Sequence, residues 1–294
     1  MLEGRLGIDT ARIPHSDRRG LLWLARGNLT VEDGTLRFRT AGGGDLPPGD
    51  YGIPFQMVTA IILEPGTTVS HDALRLLARH GTGLVAVGED GVRFYASLPF
   101  GPDDSRLARR QAALWSDAAG GKTTLARRMY AWRFGEVLPD EDLDTLRGIE
   151  GARVRELYRR LAEQHGVQWS GRKYDRANPE ASDPANQAIN HASSAVEAAA
   201  QIAVAVTGAI PQLGFIHEDS GNAFCLDVSD LFRESVTLPA AFAGVREWST
   251  RKSDSLERIV RRKAGRVVRA KDIVPAMIDR IKELLDGDDA SGDP

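Results

Sequence analysis

The chain has 294 residues, of which 27% are charged and 42% hydrophobic, a composition typical of a soluble protein with room for two domains. Its formal net charge of −3 excludes a general attraction to nucleic acid, so any polyanion site must come from local clustering. The single cysteine, Cys225, excludes an internal disulfide and suits a reducing compartment, and the N-terminus lacks the apolar segment of a signal peptide. We expect a cytoplasmic protein without a membrane segment.

Residues 20–97 are predicted to form a β-rich region with one helix. Two alternating segments turn at Asp33-Gly34 and at Asp90-Gly91, dipeptides that accept the positive φ of a hairpin turn. The apolar segment VTAIILEPG between them predicts a short buried strand. The segment SHDALRLLARHG then predicts a helix, with Ser70 as its N-cap and Gly81 as its C-terminal stop.

The stretch AAGGKTTLARR, residues 118–128, has some features of a phosphate-binding loop. The full pattern requires a glycine where this chain has Ser116, and a β-strand leading into the loop. The preceding segment, DSRLARRQAALW, has helical spacing instead. We therefore predict a turn that starts a helix, and we expect Lys122 and Thr123 to be dispensable for chemistry.

Beyond about residue 100 the spacing of apolar residues is helical. The clearest helix is SDPANQAINHASSAVEAAAQIAVAVTG, with Asp183 as its cap and Gly208 at its end. Its apolar part is interrupted by Glu197 and is too short for a confident bilayer span, which favours a buried helix. Another helix is predicted over RGIEGARVRELYRRLAEQHG.

The segment GFIHEDSGNAFCLDVSDLFR, residues 214–233, is the most informative for chemistry. His217 follows two apolar residues, and Asp227 and Asp230 are three positions apart, so on a helix both carboxylates share a face. Apolar neighbours indicate partial burial, where carboxylates need a cation, hydrogen bonds or a proton. Spacing alone equally allows a helix start capped by one aspartate. Glu150, between two glycines, is a third acid, and taken alone it is more typical of a solvated helix position.

Several motifs, in their order along the chain, resemble the CRISPR-associated integrase family, the universal subunit that inserts new spacers, in its subtype I-E form. They are LEPGTTVSH, VGEDGVRFYAS, LRGIEGARVR, WSGRKYD, NQAIN and GFIHEDSGNAFCLDVSDLF. The resemblance runs from about Gly27 to Arg269 and implies an α+β fold. An N-terminal β-sandwich-like domain (1–100) is expected before a larger all-α catalytic domain (101–285), with an acidic, disordered tail over 286–294.

The resemblance also implies a divalent metal bound by Glu150, His217 and Asp230, with Asp227 as an auxiliary catalytic acid. Two carboxylates and one imidazole suit Mg²⁺ or Mn²⁺, whereas zinc more often recruits several His or Cys ligands. The implied reaction is attack by the 3′-hydroxyl of a captured DNA fragment on the backbone of a CRISPR repeat. With water as the nucleophile, the same site is a nuclease.

A local basic segment supplies the positive surface that DNA requires. Val245 to Asp272 contains ten Lys or Arg and four Asp or Glu, a local charge of +6. On an ideal helix one arc carries only arginines, which favours DNA contact over a solvated face of mixed charge. These are Arg258, Arg261, Arg262, Arg266 and Arg269, opposite Leu256, Ile259, Val260, Ala264 and Val267. The resemblance assigns DNA binding to Arg93, Tyr174, Arg258 and Arg261.

Three positions depart from the subtype I-E pattern. Arg26 and Glu197 stand where that form has tyrosines, and Thr68 replaces an arginine. These departures leave the implied metal ligands intact, and they leave open how the captured duplex is bracketed. The implied partners are the double-stranded DNA of fragment and repeat, a second copy of the chain and a small companion subunit. Two alternatives stay open: a stand-alone metal-dependent nuclease for branched or damaged DNA, and a DNA-bending scaffold whose acids are structural.

Overall fold

The structure, a computed structural model, describes residue 18 and residues 20–97, 105–137, 142–173, 182–251 and 254–286. The chain divides into two compact units, Met1–Glu89 with Phe94–Ser105 and Asp90–Arg93 with Arg106–Pro294. Within the described ranges, no helix is long and apolar enough to cross a membrane. Tyr174 and most of the predicted tail lie outside these ranges, but Asp286, placed in that tail by the sequence, ends the last helix.

The described residues of the first unit form two four-stranded sheets, with strand orders β1-β5-β7-β8 and β4-β3-β2-β6. In the first sheet β5 pairs in parallel with β1 and β7, and β8 is antiparallel to β7. The strands are β1 (Leu21–Leu24), β2 (Gly27–Glu32), β3 (Thr35–Thr40), β4 (Gly49–Gly52), β5 (Ala60–Leu63), β6 (Thr68–Val69), β7 (Gly83–Val87) and β8 (Phe94–Ser97).

Both sheets and the helix α1 (His71–His80) contribute to one apolar core, which includes Leu29, Phe38, Ile61 and Leu77. The predicted buried strand is β5, whose four residues are all buried. Because apolar side chains of two sheets face a shared interior, the predicted sandwich-like arrangement is confirmed.

The local signals of this unit are also confirmed. The Ser70 side chain accepts a hydrogen bond from the Ala73 N–H at 3.2 Å, and Gly81 has a φ of 63°. Asp33 and Gly34 have positive φ in the β2–β3 turn. Asp90 and Gly91, which belong to the second unit, also have positive φ, although the β7–β8 connection is longer than two residues because it contains a 3₁₀ turn over Glu89–Gly91.

The second unit is helical and is built around α5, which packs against α6, α7, α8 and α9. Its helices are α2 (Arg106–Ser116), α3 (Gly121–Phe134), α4 (Leu143–His165), α5 (Pro184–Thr207), α6 (Ala223–Asp230), α7 (Leu238–Thr250), α8 (Leu256–Ala270) and α9 (Ile273–Asp286). Alanines on α5 allow close packing of α4, α7 and α8 around Leu157, Ile189, Phe242 and Val260. The predicted α+β class is confirmed.

The glycine-rich stretch before α3 is a helix start, as predicted. The element that precedes it is the helix α2, not a strand, and Gly120 at the N-cap has a φ of 102°. The caps predicted for α5 are also present, because the Asp183 side chain accepts from the Asn186 N–H and Gly208 is left-handed.

Candidate active site

The structure brings the predicted acids and the histidine together in the helical unit. Glu150 lies on α4, Asp230 is the last residue of α6, and His217 lies in the loop between α5 and α6. His217 Nε2 is 3.9 Å from Asp230 Oδ2, and the Arg133 guanidinium contacts Glu150 and lies 3.7 Å from that same oxygen. The site therefore joins three separate segments around one arginine.

Asp227 organises the loop that carries His217. Its side chain is fully buried and accepts backbone N–H bonds from Phe215, Ile216 and His217 at 2.6, 3.1 and 2.9 Å. It also lies 2.7 Å from His217 Nδ1. Because α6 begins at Ala223, neither aspartate caps a helix start, and that alternative is wrong.

The contact between His217 and Asp227 sets the electrostatics of the imidazole. The hydrogen bond to Asp227 raises the pKa of His217 above its ordinary value, the charge of Asp230 acts in the same direction, and burial opposes both. With Nδ1–H donating to Asp227, Nε2 keeps its lone pair on the side of Asp230. A carboxylate behind an imidazole is the arrangement that orients metal-bound histidines.

The same loop is held from its other side by α2, through residues that the sequence analysis missed. Gln111 is buried and makes three hydrogen bonds of 2.7–3.0 Å with the backbone of residues 210–213. Trp115 Nε1 donates to the Gly214 carbonyl at 3.0 Å. A Cβ at Gly214 would lie 2.2 Å from the His217 carbonyl oxygen, so glycine is required there.

A cleft of about 170 Å³ opens beside the carboxylates, and three arginines line it together with Glu150 and Asp230. Arg233 Nη2 is 2.8 Å from Asp230 Oδ1, Arg133 lies between the carboxylates, and Arg153 pairs with Glu136. These arginines were not predicted as site residues. Their positive charge beside the acids suits an anionic group such as a phosphate.

Glu197 of α5 is a further carboxyl near this site. Its pKa is raised by burial and by the charge of Asp230, against a hydrogen bond of 3.5 Å from Asn222 Nδ2. In the sequence, Glu197 is notable only as a departure from a tyrosine. The structure places it where the charge of Asp230 acts on it.

The donor set of Glu150, His217 and Asp230 suits a hard divalent cation, because it offers carboxylate oxygens and one imidazole nitrogen. The position between the two carboxylates already holds a cation, because the Arg133 guanidinium contacts Glu150 and lies 3.7 Å from Asp230 Oδ2. As placed, no group of three or more His, Cys, Asp or Glu side chains among the described residues could hold a metal ion. In this arrangement the Glu150 carboxylate forms an ion pair with Arg133.

The predicted DNA-binding arginines lie on or beside α8, on a surface that carries both positive and negative charges. Glu257 Oε1 is 2.5 Å from Arg93 Nη2 and 2.9 Å from Arg261 Nε. Arg258 is 70% exposed and 3.7 Å from Asp254. The expectation of a single-signed face is therefore wrong.

Further acids oppose two other arginines of this arc. Arg262 lies 3.6 Å from both Glu247 and Asp254, and Arg269 lies 3.8 Å from Asp90. The apolar side is close to that predicted, except that Val268 is buried in place of Val267.

Comparison with known proteins assigns the family. The model of the family "CRISPR associated protein Cas1" matches residues 125–258. The CRISPR-associated endonuclease Cas1 of Geobacter sulfurreducens is 36% identical over 277 residues, which cover 93% of this chain and 86% of that protein. The protein of the same name from Escherichia coli K12 is 37% identical over 278 residues, with coverage of 93% and 87%. The chain belongs to the Cas1 family.

A solved structure agrees with this assignment. The protein chain in the crystal structure of the TtCas1-DNA complex is 32% identical to this chain, with a TM-score of 0.81. The match covers 92% of this chain and 98% of that one. The region matched by the Cas1 family model contains Arg133, Glu150, His217, Asp227 and Asp230, so the whole cluster lies in the part of the chain that defines the family.

Proposed function

We propose that this Cas1 is a divalent-metal-dependent DNA endonuclease and integrase of CRISPR adaptation, of the subtype I-E form, acting in the cytoplasm. The observation that carries the proposal is the convergence of Glu150, His217 and Asp230 beside an arginine-lined cleft. Two comparisons support it: the relatives are named as endonucleases, and TtCas1 has been solved in a complex with DNA.

The reaction that fits this site is a transesterification at phosphorus. The 3′-hydroxyl oxygen of a captured fragment forms a bond to a phosphorus of the repeat, while the bond from that phosphorus to the 3′ oxygen of the repeat strand breaks. The leaving oxygen takes up a proton, and with water as the nucleophile the outcome is strand cleavage. Mg²⁺ or Mn²⁺, bound by Glu150, His217 and Asp230, would stabilise the charge that builds on the phosphate oxygens.

The protein's own groups position the reactants. Asp227 fixes the His217 ring, so that Nε2 stays directed toward Asp230. Arg153 and Arg233 line the cleft, where their guanidinium groups can bind phosphate oxygens.

DNA binding outside the cleft is assigned to Arg93, Tyr174, Arg258 and Arg261 by the family resemblance. The same resemblance implies a homodimer that joins a small companion subunit, with double-stranded DNA as the substrate. Among the three arginines of this set, all of them described by the structure, Arg258 is the most exposed, with 70% of its side chain accessible for phosphate contact.

A single reaction mixture tests the proposal. Supercoiled plasmid that bears a CRISPR repeat is incubated with the protein, a short duplex with free 3′-hydroxyl ends and Mn²⁺ or Mg²⁺. Joined product supports the proposal. Cleavage without joining favours the stand-alone nuclease, and the absence of any reaction with either metal favours the DNA-bending scaffold.

His217→Ala is the variant that ties this activity to the site. It should abolish joining and leave folding and oligomeric state unchanged, because the ring is partly exposed and serves as a ligand. His71→Ala is the matched control, since His71 is an exposed histidine of the β-rich unit. A His217→Ala protein that joins at the wild-type rate contradicts the assignment.

A further inference from the structure

Arg133 occupies the position between the two carboxylates of the proposed metal site. Its guanidinium contacts Glu150 and lies 3.7 Å from Asp230 Oδ2, and only 7% of its side chain is exposed. The Tyr130 ring supports it, with 5.6 Å between the ring centroid and Cζ. A buried guanidinium keeps its charge and needs anionic acceptors, which these two acids supply.

The same two acids are those that a divalent ion would bind. Glu150 and Asp230 are 17% and 13% exposed, so neither carboxylate is well solvated in the absence of a counter-cation. A guanidinium and a divalent ion compete for these two carboxylates, because their positive charges repel in a poorly solvated site. Binding of one cation therefore weakens the hold of the other.

We propose that Arg133 is the resident cation of this site, which holds Glu150 and Asp230 together before metal binding and is exchanged for the divalent ion. The inference deepens the proposed function and rests on it for the identity of the ligands. It makes Arg133 a positioning residue of the metal-free protein and a competitor of the metal.

Arg153 provides the matched comparison. It lines the same cleft, but its guanidinium pairs with Glu136 and not with a proposed ligand. Removing its charge changes the general potential of the cleft, whereas removing the charge of Arg133 also removes the competitor at the ligand atoms. The two variants separate these effects.

The experiment measures Mn²⁺ affinity by electron paramagnetic resonance for wild type, Arg133→Gln, Arg153→Gln and His217→Ala. Arg133→Gln should bind Mn²⁺ about tenfold or more tightly than wild type, with a much smaller change in Arg153→Gln. Without metal, Arg133→Gln should melt at a lower temperature than wild type, and Mn²⁺ should raise its melting temperature by more. Equal or weaker binding by Arg133→Gln, or an equal gain in Arg153→Gln, overturns the inference.

A second measurement uses the wild-type protein and does not depend on folding of a variant. In NMR spectra of arginine-labelled protein, the side-chain N–H signals of Arg133, assigned with Arg133→Lys, should exchange slowly without metal. They should exchange faster once Mg²⁺ is added, and unchanged exchange at saturating Mg²⁺ overturns the inference. If wild type and His217→Ala bind Mn²⁺ equally, the proposed function fails; if only wild type binds but Arg133→Gln gains nothing, the inference alone fails.

Discussion

One carboxylate oxygen of Asp227 holds both the ring and the backbone of His217. Asp227 Oδ1 is 2.7 Å from His217 Nδ1 and accepts the His217 backbone N–H at 2.9 Å. The other oxygen, Oδ2, accepts the N–H groups of Phe215 and Ile216. Asp227 therefore fixes the position of His217 and does so from a fully buried site, whereas Asp230 faces the cleft.

Asp227→Ala should destabilise the fold far more than His217→Ala. The first variant leaves three backbone N–H groups and an imidazole without their acceptor, at a cost of about 3 kcal/mol or more in the free energy of unfolding. The second removes a partly exposed ring and should cost about 1 kcal/mol or less. Guanidinium denaturation of the metal-free proteins measures both, and equal midpoints contradict the role given to Asp227.

The features that sequence predicts well here are those encoded within a few residues. Ser70 and Gly81 define the ends of α1, and Asp183 and Gly208 those of α5, because a cap bonds to a backbone group three or four positions away. The phosphate loop could be excluded on equally local grounds, Ser116 in place of the glycine and a helical segment in place of the strand before it.

The features that sequence cannot predict join distant parts of the chain. Gln111 bonds to the backbone of Ile210, 99 positions away, and Arg93 pairs with Glu257, 164 positions away. An ideal helix shows which arginines share an arc of α8, but not which acids of other segments face that arc. Arg133 was missed because no local pattern distinguishes it from the other basic residues of α3.

Cys225 should be inert to thiol reagents in the folded protein. It is 1% exposed, and burial together with the charge of Glu197 raises the pKa of its thiol to about 12. An ordinary thiol has a pKa of about 8.5, so at pH 8 the reactive thiolate of Cys225 is about two-thousandfold scarcer. Ellman's reagent should therefore react only in denaturant. Rapid labelling of native protein at pH 8 contradicts this burial.

Ionisation of the Cys225 thiol should also make the free energy of unfolding depend on pH. As pH rises above about 8.5, the unfolded chain releases the Cys225 proton while the folded chain retains it. The free energy of unfolding should therefore fall as pH rises above that value and up to the folded pKa. Cys225→Ser, compared with wild type by denaturation at pH 7 and pH 10, should lose this part of the decrease.

Arg258→Ala with Arg261→Ala should weaken DNA binding for all sequences alike, because phosphate contacts position a duplex without reading it. The slope of log affinity against log salt should shrink by about 0.9 for each duplex phosphate contact removed. Fluorescence anisotropy with a labelled duplex at several salt concentrations measures the slope. Arg159→Ala with Arg160→Ala, exposed on α4, is a control for the change in net charge. The α8 double variant should retain Mn²⁺ binding. If its salt slope equals that of wild type, the DNA binds elsewhere on the protein.

Glu257→Gln tests whether this acid of α8 lowers DNA affinity by pairing with arginines that are predicted to contact DNA. The Glu257 carboxylate pairs with both Arg93 and Arg261, so it neutralises two of the four residues assigned to DNA. Removing its charge while keeping its shape should raise DNA affinity about threefold or more at low salt, because both guanidinium groups become available to phosphates.

The gain should shrink as salt rises, and the slope of log affinity against log salt should become steeper. Glu283→Gln removes the same charge from an exposed pair with Arg280 on α9 and should change affinity little. Glu257→Gln should also be made in the Arg261→Ala background, where any gain in DNA affinity can come only from the release of Arg93. The difference between the gains in the two backgrounds is then the part that acts through Arg261. Weaker DNA binding by Glu257→Gln would show that this carboxylate holds the two arginines in their binding geometry, and the restraint assigned to it would be wrong.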